Sequence, residues 1–299
     1  MYEKFYGLTK NPFSLLPDPS FLFLSRQHVM ALTLLKYSLM SKHAFTVITG
    51  EVGAGKTTLI NQLLDDIQSK YTIGLINFTD QRVEQLLPWI LNAYGLPYAN
   101  KSAVGMYDEF VRFLAEENRK GHTAVLVVDE AQNLAKNALE KLRMFSNVNT
   151  KQILLQLILV GQPEFRDTLR QPAFRQLNQR VSVFYRLDPL SRVETGEYIR
   201  HRLRVAGGNE RAFSDEAIDL VWKESEGVPR RINTLSDLAM VYGFAGRQEI
   251  VTERVVREML EDRRGLAIQT DTSMSDPVRA ARTSPARSTL QVVSEAPRG

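Results

Sequence analysis

The sequence contains no cysteine, no long apolar run and no strong excess of one charge. Without cysteine, the 299-residue chain can form neither disulfides nor zinc–thiolate sites, a composition typical of a reducing compartment. Its most apolar stretches, 153–160 and 124–128, have the length of strands and are too short to cross a membrane. A net charge of +4 is too small to indicate nucleic-acid binding by itself.

A signal peptide is also missing, because Met1 to Phe5 includes an acid and no apolar segment follows. We therefore expect a cytoplasmic protein without an integral membrane segment, for which any peripheral association with the inner membrane is made through a partner. The composition, 43% hydrophobic and 24% charged, is that of an ordinary soluble globular protein. The length is sufficient for one large or two ordinary domains.

What the sequence does contain is a phosphate-binding loop, Gly50-Glu51-Val52-Gly53-Ala54-Gly55-Lys56-Thr57-Thr58. It fits G-x-x-x-x-G-K-[ST] at every fixed position, after a strand-like run and before a helix-like segment. Glycines let the backbone fold around an anion, so that successive N–H groups point at phosphates. Lys56 can reach the β- and γ-phosphates, and the Thr57 hydroxyl can bind Mg²⁺. All nine residues are predicted to bind the nucleotide.

Two further polar groups follow buried-looking strands. Asp129 and Glu130 end the aliphatic run 125–128. An acid at this position beside a phosphate loop can hold Mg²⁺ through its water shell, which is the role predicted for Asp129. Glu130 is predicted to polarise the attacking water. Gln162, after the run 153–160, either orients that water or is an ordinary polar loop residue.

Arginines are frequent after this point, and residues 168–187 include no acid. The four arginines of that stretch are Arg170, Arg175, Arg180 and Arg186. One of them can act as an arginine finger on a neighbouring subunit, with Arg180 as first candidate and Arg175 as second. Alternatively, the group lines a groove for nucleic-acid phosphates.

A later arginine pair stands at the start of a predicted helix, in Gly227-Val228-Pro229-Arg230-Arg231-Ile232. An arginine at this position can contact the γ-phosphate and couple the nucleotide state to the angle of a lid. We predict this role for Arg230, with Arg231 as the alternative. No Asn-Lys-x-Asp sequence for reading guanine is present, so adenine is the expected base.

Strand-like and helix-like segments alternate up to about Leu187, which predicts a parallel sheet with helices on both faces. Only helical segments follow. The predicted domains are an aromatic and proline-rich wrap over 1–30, an α/β nucleotide-binding domain over 31–188 and a small all-helical lid over 189–264. Residues 265–299 have little to bury and are predicted to be a disordered tail.

The order of these elements resembles the AAA+ ATPases. The chain is especially similar to the ATPase domain of the ExeA/general secretion pathway protein A family, over about residues 1–264. The residues that carry the likeness are Tyr2-Glu3-Lys4-Phe5-Tyr6-Gly7-Leu8, Asn11-Pro12-Phe13, Pro17-Asp18-Pro19, Phe21-Leu22-Phe23, His28, the loop from Gly50 to Thr58, Asp129-Glu130-Ala131-Gln132 and Gly161-Gln162-Pro163-Glu164. The resemblance implies a five-stranded parallel sheet in 5-1-4-3-2 order, ATP bound between subunits and ring-like homo-oligomers.

The leading hypothesis is a Mg²⁺-dependent AAA+ ATPase that oligomerises and drives or switches the assembly of an envelope system. Its partner would be a secretion, exopolysaccharide-export or pilus assembly protein. The alternative is an ATP-gated DNA-binding scaffold similar to the regulators of transposition, which the arginines of 168–187 and of 200–204 favour. A third possibility, a nucleotide-dependent interaction protein with negligible turnover, is disfavoured because a pure binder does not need both Asp129 and Glu130.

Overall fold

Five short runs rich in branched aliphatic residues form one parallel sheet in the structure, a computed structural model. The structure describes residues 1–16, 18–67, 70–77, 85–149 and 152–273, with side chains described up to residue 264. The strands are β1 (Phe45–Gly50), β2 (Tyr71–Asn77), β3 (Thr123–Asp129), β4 (Leu155–Gly161) and β5 (Val181–Leu187). Their spatial order is β2-β3-β4-β1-β5, which confirms the predicted 5-1-4-3-2 arrangement.

Seven helices accompany these strands in the described part of the chain. They are α1 (Arg26–Met40), α2 (Lys56–Ile67), α3 (Leu86–Ala93), α4 (Ala103–Arg119), α5 (Lys136–Phe145), α6 (Glu164–Arg170) and α7 (Arg175–Asn178). The apolar pattern of the sequence predicts helices that start at Val83 and Tyr107. The first of these starts lies outside the described residues. Helix α4 begins one turn before Tyr107, because the Ser102 side chain accepts the Gly105 N–H at 3.1 Å and caps the helix there.

The side chains of the central strands alternate between two cores. Val125 and Val127 of β3 pack with α1 and α2 on one face of the sheet, in a cluster that includes Leu35 and Leu59. The intervening side chains of β3 pack on the opposite face with α3 to α7. Full burial of each such side chain stabilises the fold by about 1.5–3 kcal/mol. The sheet is therefore covered on both faces, as its uninterrupted aliphatic strands predict.

After β5 the described chain contains only helices, apart from the isolated bridge between Phe213 and Val251. They are α8 (Arg192–Val205), α9 (Asp215–Ser225), α10 (Pro229–Ala245) and α11 (Glu253–Ser273). Ser191 and Glu194 form a capping box at the start of α8. Helix α11 begins at the predicted residue and continues past the predicted end at Arg264. Residues 274–299 of the expected tail lie outside the described part.

Residues Met1–Val256 form one compact unit, and the residues from Arg257 onward are grouped separately. The predicted boundaries at residues 30/31, 188/189 and 264/265 remain predictions. Within the first unit we call helices α8, α9 and α10 the helical bundle, since they pack on one another. None of the helices in the described ranges combines the length and apolarity that a bilayer crossing requires.

The N-terminal segment, defined here as residues 1–16 and 18–25, packs on the helical bundle and on the residues that follow α8 and α10. Tyr2 donates its hydroxyl proton to the Asp237 carboxylate, and Tyr6 OH donates to Gln248 O at 3.0 Å. A Cβ at Gly243 would lie 2.3 Å from the Tyr6 hydroxyl oxygen, so this glycine makes room for the tyrosine. The predicted wrap is therefore a connection between two parts of the unit.

Gly227, just before α10, provides a test of how closely the start of α10 packs on the residues before α8. Its φ is +71°, and a Cβ there would lie 2.1 Å from Leu190 O. Gly227→Ala is expected to lower the free energy of unfolding by about 3 kcal/mol or more, because left-handed strain and a backbone clash add together. Gly95 has a similar φ of +68° but open space around its Cα. Gly95→Ala should therefore cost only about 1–2 kcal/mol. Urea denaturation measures both, and equal losses would contradict the assigned clash.

Candidate nucleotide-binding site

The phosphate loop connects the end of β1 to the first residue of α2. Gly53 and Gly55 have φ values of +83° and +94°, a conformation that favours glycine. A Cβ at Gly53 would also lie 2.5 Å from the Cβ of Arg230. The loop leads directly into a 12-residue helix, whose N-terminus carries partial positive charge. The backbone here has the conformation that binding of phosphate requires.

Lys56 is the first residue of α2, and its side chain is buried within the loop. Its ammonium donates to Gly50 O at 2.8 Å and to Glu51 O at 3.0 Å. Burial lowers the pKa of this ammonium, whereas the charges of Glu130 and Asp129 oppose that shift. The loop thus holds a cation where phosphate groups would bind.

Thr57 and Asp129 come together as the sequence predicts. The Thr57 hydroxyl donates to Asp129 Oδ2 at 2.9 Å, which joins the first turn of α2 to the end of β3. Hydroxyl and carboxylate oxygens are the hard donors that Mg²⁺ prefers, so the residues present fit this ion. Within the described residues no group of three or more His, Asp or Glu could cage a metal. A Mg²⁺ site that shares its ligands with phosphates and water does not need one.

Glu130 and Gln162 are also neighbours. Gln162 Nε2 lies 3.4 Å from Glu130 Oε2, so the tip of β4 meets the tip of β3. Glu130 has a φ of +53°, which is uncommon for a residue with a side chain. Gln132, to which the sequence analysis assigns no role, connects the two. It donates to the Glu130 carboxylate through Nε2 and accepts the Gln162 N–H at 3.0 Å through Oε1.

His28 is a second residue that sequence reasoning left without a role. Its Nε2 lies 3.1 Å from Ala54 O, and its Nδ1 lies 2.8 Å from Ser25 Oγ. Because a carbonyl oxygen only accepts, Nε2 carries the proton and Nδ1 accepts from the serine. Burial lowers the pKa of His28, against the opposing effects of Ala54 O and Glu194. A neutral imidazole therefore supports the phosphate loop from α1.

The two candidate arginines of α10 have different surroundings. Arg230 donates its backbone N–H to Gly53 O at 3.3 Å, and its side chain lines the cavity above the loop. The guanidinium of Arg231 instead forms an ion pair with Glu226 at 2.5 Å. Of the two, Arg230 is the residue at the site.

Arg180, the first candidate for a finger, is engaged within its own chain. Its guanidinium donates to Arg143 O at 3.1 Å, to Asn147 Oδ1 at 2.7 Å and to the Ser146 hydroxyl. These acceptors lie at the end of α5 and in the turn that follows it. Arg175 is exposed and has no hydrogen-bond or ion-pair partner in the described part of the chain. The finger remains a prediction, and of its two candidates Arg175 is the one that the described contacts leave available to a second subunit.

The acid-free arginine stretch is not an acid-free surface. Two acids that lie just before and just after residues 168–187 pair with arginines of that stretch. Asp167 lies 3.9 Å from Arg170, and Asp188 lies 2.8 Å from Arg186. In α8, Arg200 pairs with Asp215 at 2.6 Å and Arg204 with Glu210 at 2.5 Å. Ion pairs therefore occupy most of the cations that a nucleic-acid groove would need.

A cavity of about 470 Å³ lies above the loop. Its walls are Val52 to Thr58, Glu130, parts of the N-terminal segment and residues of the helical bundle, among them Tyr198, Arg202, Arg230 and Asn233. Small-molecule sites are typically about 300–1,000 Å³, so the space suits a nucleotide.

Comparison with known proteins agrees with this geometry. Residues 39–169 match a family described as AAA domain. Over 254 residues the chain is 39% identical to general secretion pathway protein A of Aeromonas hydrophila, which covers 84% of the chain. The match spans 46% of that protein, so the chain corresponds to less than half of its length.

Solved structures share the fold. The ORC2 protein of Aeropyrum pernix superposes with a TM-score of 0.61 at 17% identity, over 84% of this chain and 71% of that one. The ORC1 protein of the same organism, solved in complex with DNA, gives 0.61 at 17% identity, over 90% of this chain and 78% of that one. At this identity the likeness shows the fold alone.

The buried imidazole of His28 predicts a pH dependence of stability. A histidine whose pKa is lowered by folding binds fewer protons than in the unfolded chain, so stability is lost as pH falls below about 6.5. We expect the free energy of unfolding to decrease between pH 7.5 and pH 5.5, by at most about 1.4 kcal/mol per pH unit for this group. His28→Gln should flatten that slope.

Chemical denaturation at several pH values measures the slope. The control is His122→Gln, since the His122 side chain is 42% exposed and lies at the start of β3, at the opposite end of that strand from Asp129. Equal slopes for wild type and His28→Gln would show that folding does not lower the pKa of His28.

Proposed function

The chain belongs to the AAA+ ATPases related to general secretion pathway protein A, and from that premise we propose that it hydrolyses Mg²⁺-ATP to power or switch the assembly of an envelope system. One observation carries the chemistry. The phosphate loop, Thr57 and Glu130 line one cavity, and Asp129 and Gln162 contact Thr57 and Glu130 directly. A protein that only bound nucleotide would not need the second acid.

Hydrolysis here depends on positioning and on neutralising charge. The N–H groups of the loop and the start of α2 bind the phosphates, and Lys56 faces the β- and γ-phosphates. Thr57 and Asp129 would hold Mg²⁺, which supplies further neutralisation of phosphate charge when bound. Glu130 accepts the proton of the attacking water, and Gln162 orients that water. Arg230 reaches the γ-phosphate from the helical bundle.

The neighbouring subunit completes the site in this proposal. Arg175 is exposed and unpaired among the described residues, so its guanidinium is available to a second copy of the chain. A cation supplied in trans would stabilise charge on the γ-phosphate and make turnover depend on assembly. The protein would therefore work as a homo-oligomer.

The partner protein is proposed from the name of the relative, general secretion pathway protein A. A secretion, exopolysaccharide-export or pilus assembly protein is the expected partner, at the cytoplasmic side of the inner membrane. Because the chain corresponds to less than half of that relative, its own partner has to be identified by experiment.

Steady-state turnover across protein concentrations, with and without duplex DNA at two salt levels, separates the assembly ATPase from the DNA-binding scaffold. Stimulation by DNA that fades with salt would replace this proposal with the DNA-scaffold alternative.

Two loop and strand-tip variants test the chemistry. Lys56→Ala is expected to abolish measurable ATP binding, because the phosphate charges lose their buried cation. Glu130→Gln should bind ATP about as well as wild type but turn it over about 10²–10⁴-fold more slowly, the range for loss of a general base. Calorimetric titration and phosphate release measure the two effects. Glu216→Gln, an exposed change on α9, is the matched control, and normal turnover in Glu130→Gln would remove the assignment.

Mixing two inactive variants tests whether Arg175 acts as an arginine finger on a neighbouring subunit. Arg175→Ala should lower turnover of the oligomer by about 10³-fold, whereas Arg180→Ala should mainly lower stability by about 1–3 kcal/mol, because buried partners lose their donor. Arg175→Ala subunits retain Glu130, and Glu130→Gln subunits retain Arg175. Mixing the two inactive proteins should therefore restore part of the turnover. No recovery in a mixed oligomer would contradict a finger acting in trans.

A further inference from the structure

A chain of hydrogen bonds leads from the N-terminal segment to the wall of the nucleotide cavity. Arg202 of α8 is 7% exposed, and its guanidinium donates to two backbone carbonyls of that segment, Pro12 O and Ser14 O. Its Nη1 also donates to the Tyr198 hydroxyl at 2.8 Å. Tyr198 OH lies 2.9 Å from Asn233 Oδ1 of α10. A buried cation is thus linked through a tyrosine to an amide.

The donors and acceptors of this network have one consistent assignment. A guanidinium has donors only, so the Tyr198 oxygen accepts from Arg202. The tyrosine proton then needs an acceptor, and Asn233 Oδ1 is the acceptor within reach. The reversed amide would place two donors together and leave that proton unpaired. Asn233 therefore keeps its Nδ2 hydrogens for another partner.

That partner is not supplied by the chain itself. Asn233 is 6% exposed and lines the nucleotide cavity, yet its Nδ2 has no acceptor in the part of the chain that the structure describes. The Nδ2 atom is open to the cavity, where water or an acceptor of a ligand can take its hydrogen bond. The amide is fixed in orientation and faces the space where a ligand would bind.

The position of Asn233 indicates which part of a nucleotide it meets. It follows Arg230 by one turn on the same face of α10, so it lies one turn farther from the phosphate loop. The cavity wall around it includes Phe21, Leu22 and Leu190. Arg202 covers the ring of Phe21, with its guanidinium carbon 4.6 Å from the centroid. Apolar walls with one fixed donor suit a flat heterocycle with a ring nitrogen acceptor.

We propose that Asn233 determines base specificity, by donating an Nδ2 hydrogen bond to a ring nitrogen of the adenine of ATP. The N-terminal segment then acts as a positioning element, since its Pro12 and Ser14 carbonyls hold Arg202, and Arg202 sets Tyr198 and the amide. This inference rests on the proposed function, because it assigns the base end of the same nucleotide site. It also assigns a role to the Asn11-Pro12-Phe13 part of the N-terminal sequence.

Nucleotide analogues test the assignment. In the full-length Glu130→Gln protein, which stalls turnover, calorimetry measures the affinities for ATP, 1-deaza-ATP, 3-deaza-ATP, 7-deaza-ATP and 2′-deoxy-ATP. One deaza analogue should bind about five- to tenfold more weakly than ATP, the effect of losing one hydrogen bond. Adding Asn233→Ala should weaken ATP by the same factor and abolish the difference between ATP and that analogue. Thr234→Ala, an adjacent change on α10, should preserve the difference.

Tyr198→Phe tests the positioning network with little change in shape. It leaves Asn233 in place but removes the hydroxyl that orients its amide, so the preference for ATP over the deaza analogue should fall. Affinity for inorganic triphosphate should stay unchanged, because the phosphate loop is intact. A general structural defect would lower both affinities. Tyr198→Phe also serves as the second variant if Asn233→Ala does not fold.

The outcomes separate this inference from the proposed function. Equal affinity of wild type for ATP and all three deaza analogues would overturn the inference alone. So would a deaza penalty that persists in Asn233→Ala, or a penalty confined to 2′-deoxy-ATP, which would assign the amide to the ribose. If the protein binds neither ATP nor inorganic triphosphate, both the inference and the proposed function fail.

Discussion

The contact between Gly53 and Arg230 is the constraint on which the site depends. At this point the backbone of the phosphate loop meets the first turn of α10, and the space between them does not admit even one methyl group. The first turn of α10 can therefore approach the loop this closely only because residue 53 is a glycine. The same contact brings Arg230 and Asn233 to the cavity wall. The distance between the phosphate loop and α10 therefore fixes where Arg230 and Asn233 stand relative to the loop.

The parallel sheet supplies the other half of the geometry. Because β1, β3 and β4 are parallel neighbours, their carboxyl ends meet at one edge, and the polar residues that follow each strand converge there. Thr57, Asp129 and Gln162 are distant in sequence and adjacent in space for this reason. Of the helices on the two faces, α2 supplies Lys56 and Thr57 from its first turn, and α1 supplies His28. The helices bury the aliphatic strands and so fix the edge on which the polar groups stand.

Local patterns predicted the fold well, because strand and helix periodicity and the glycine-rich loop are all short-range signals. The pairing of Thr57 with Asp129 followed from the parallel-sheet rule. Contacts between distant segments could not be predicted from the sequence. No periodicity indicates that Arg180 binds the end of α5, or that Gln132 links Glu130 to Gln162. Nor does it show that Asp167 pairs with Arg170 and Asp188 with Arg186. The role of His28 was missed because one histidine on a helix has many possible surroundings, and only the packed structure identifies Ala54 O as its partner.

The attachment of the N-terminal segment to the helical bundle has a kinetic consequence. The segment is joined to the bundle through Tyr2 and Tyr6, continues past the cavity and enters α1, which His28 fastens to the phosphate loop. Covalent chain and hydrogen bonds thus link α10, the N-terminal segment, α1 and the phosphate loop in one circuit beside the cavity. If α10 moves away from the loop, the links at Tyr2, Tyr6 or His28 have to break. These contacts therefore slow the separation of the helical bundle from the phosphate loop.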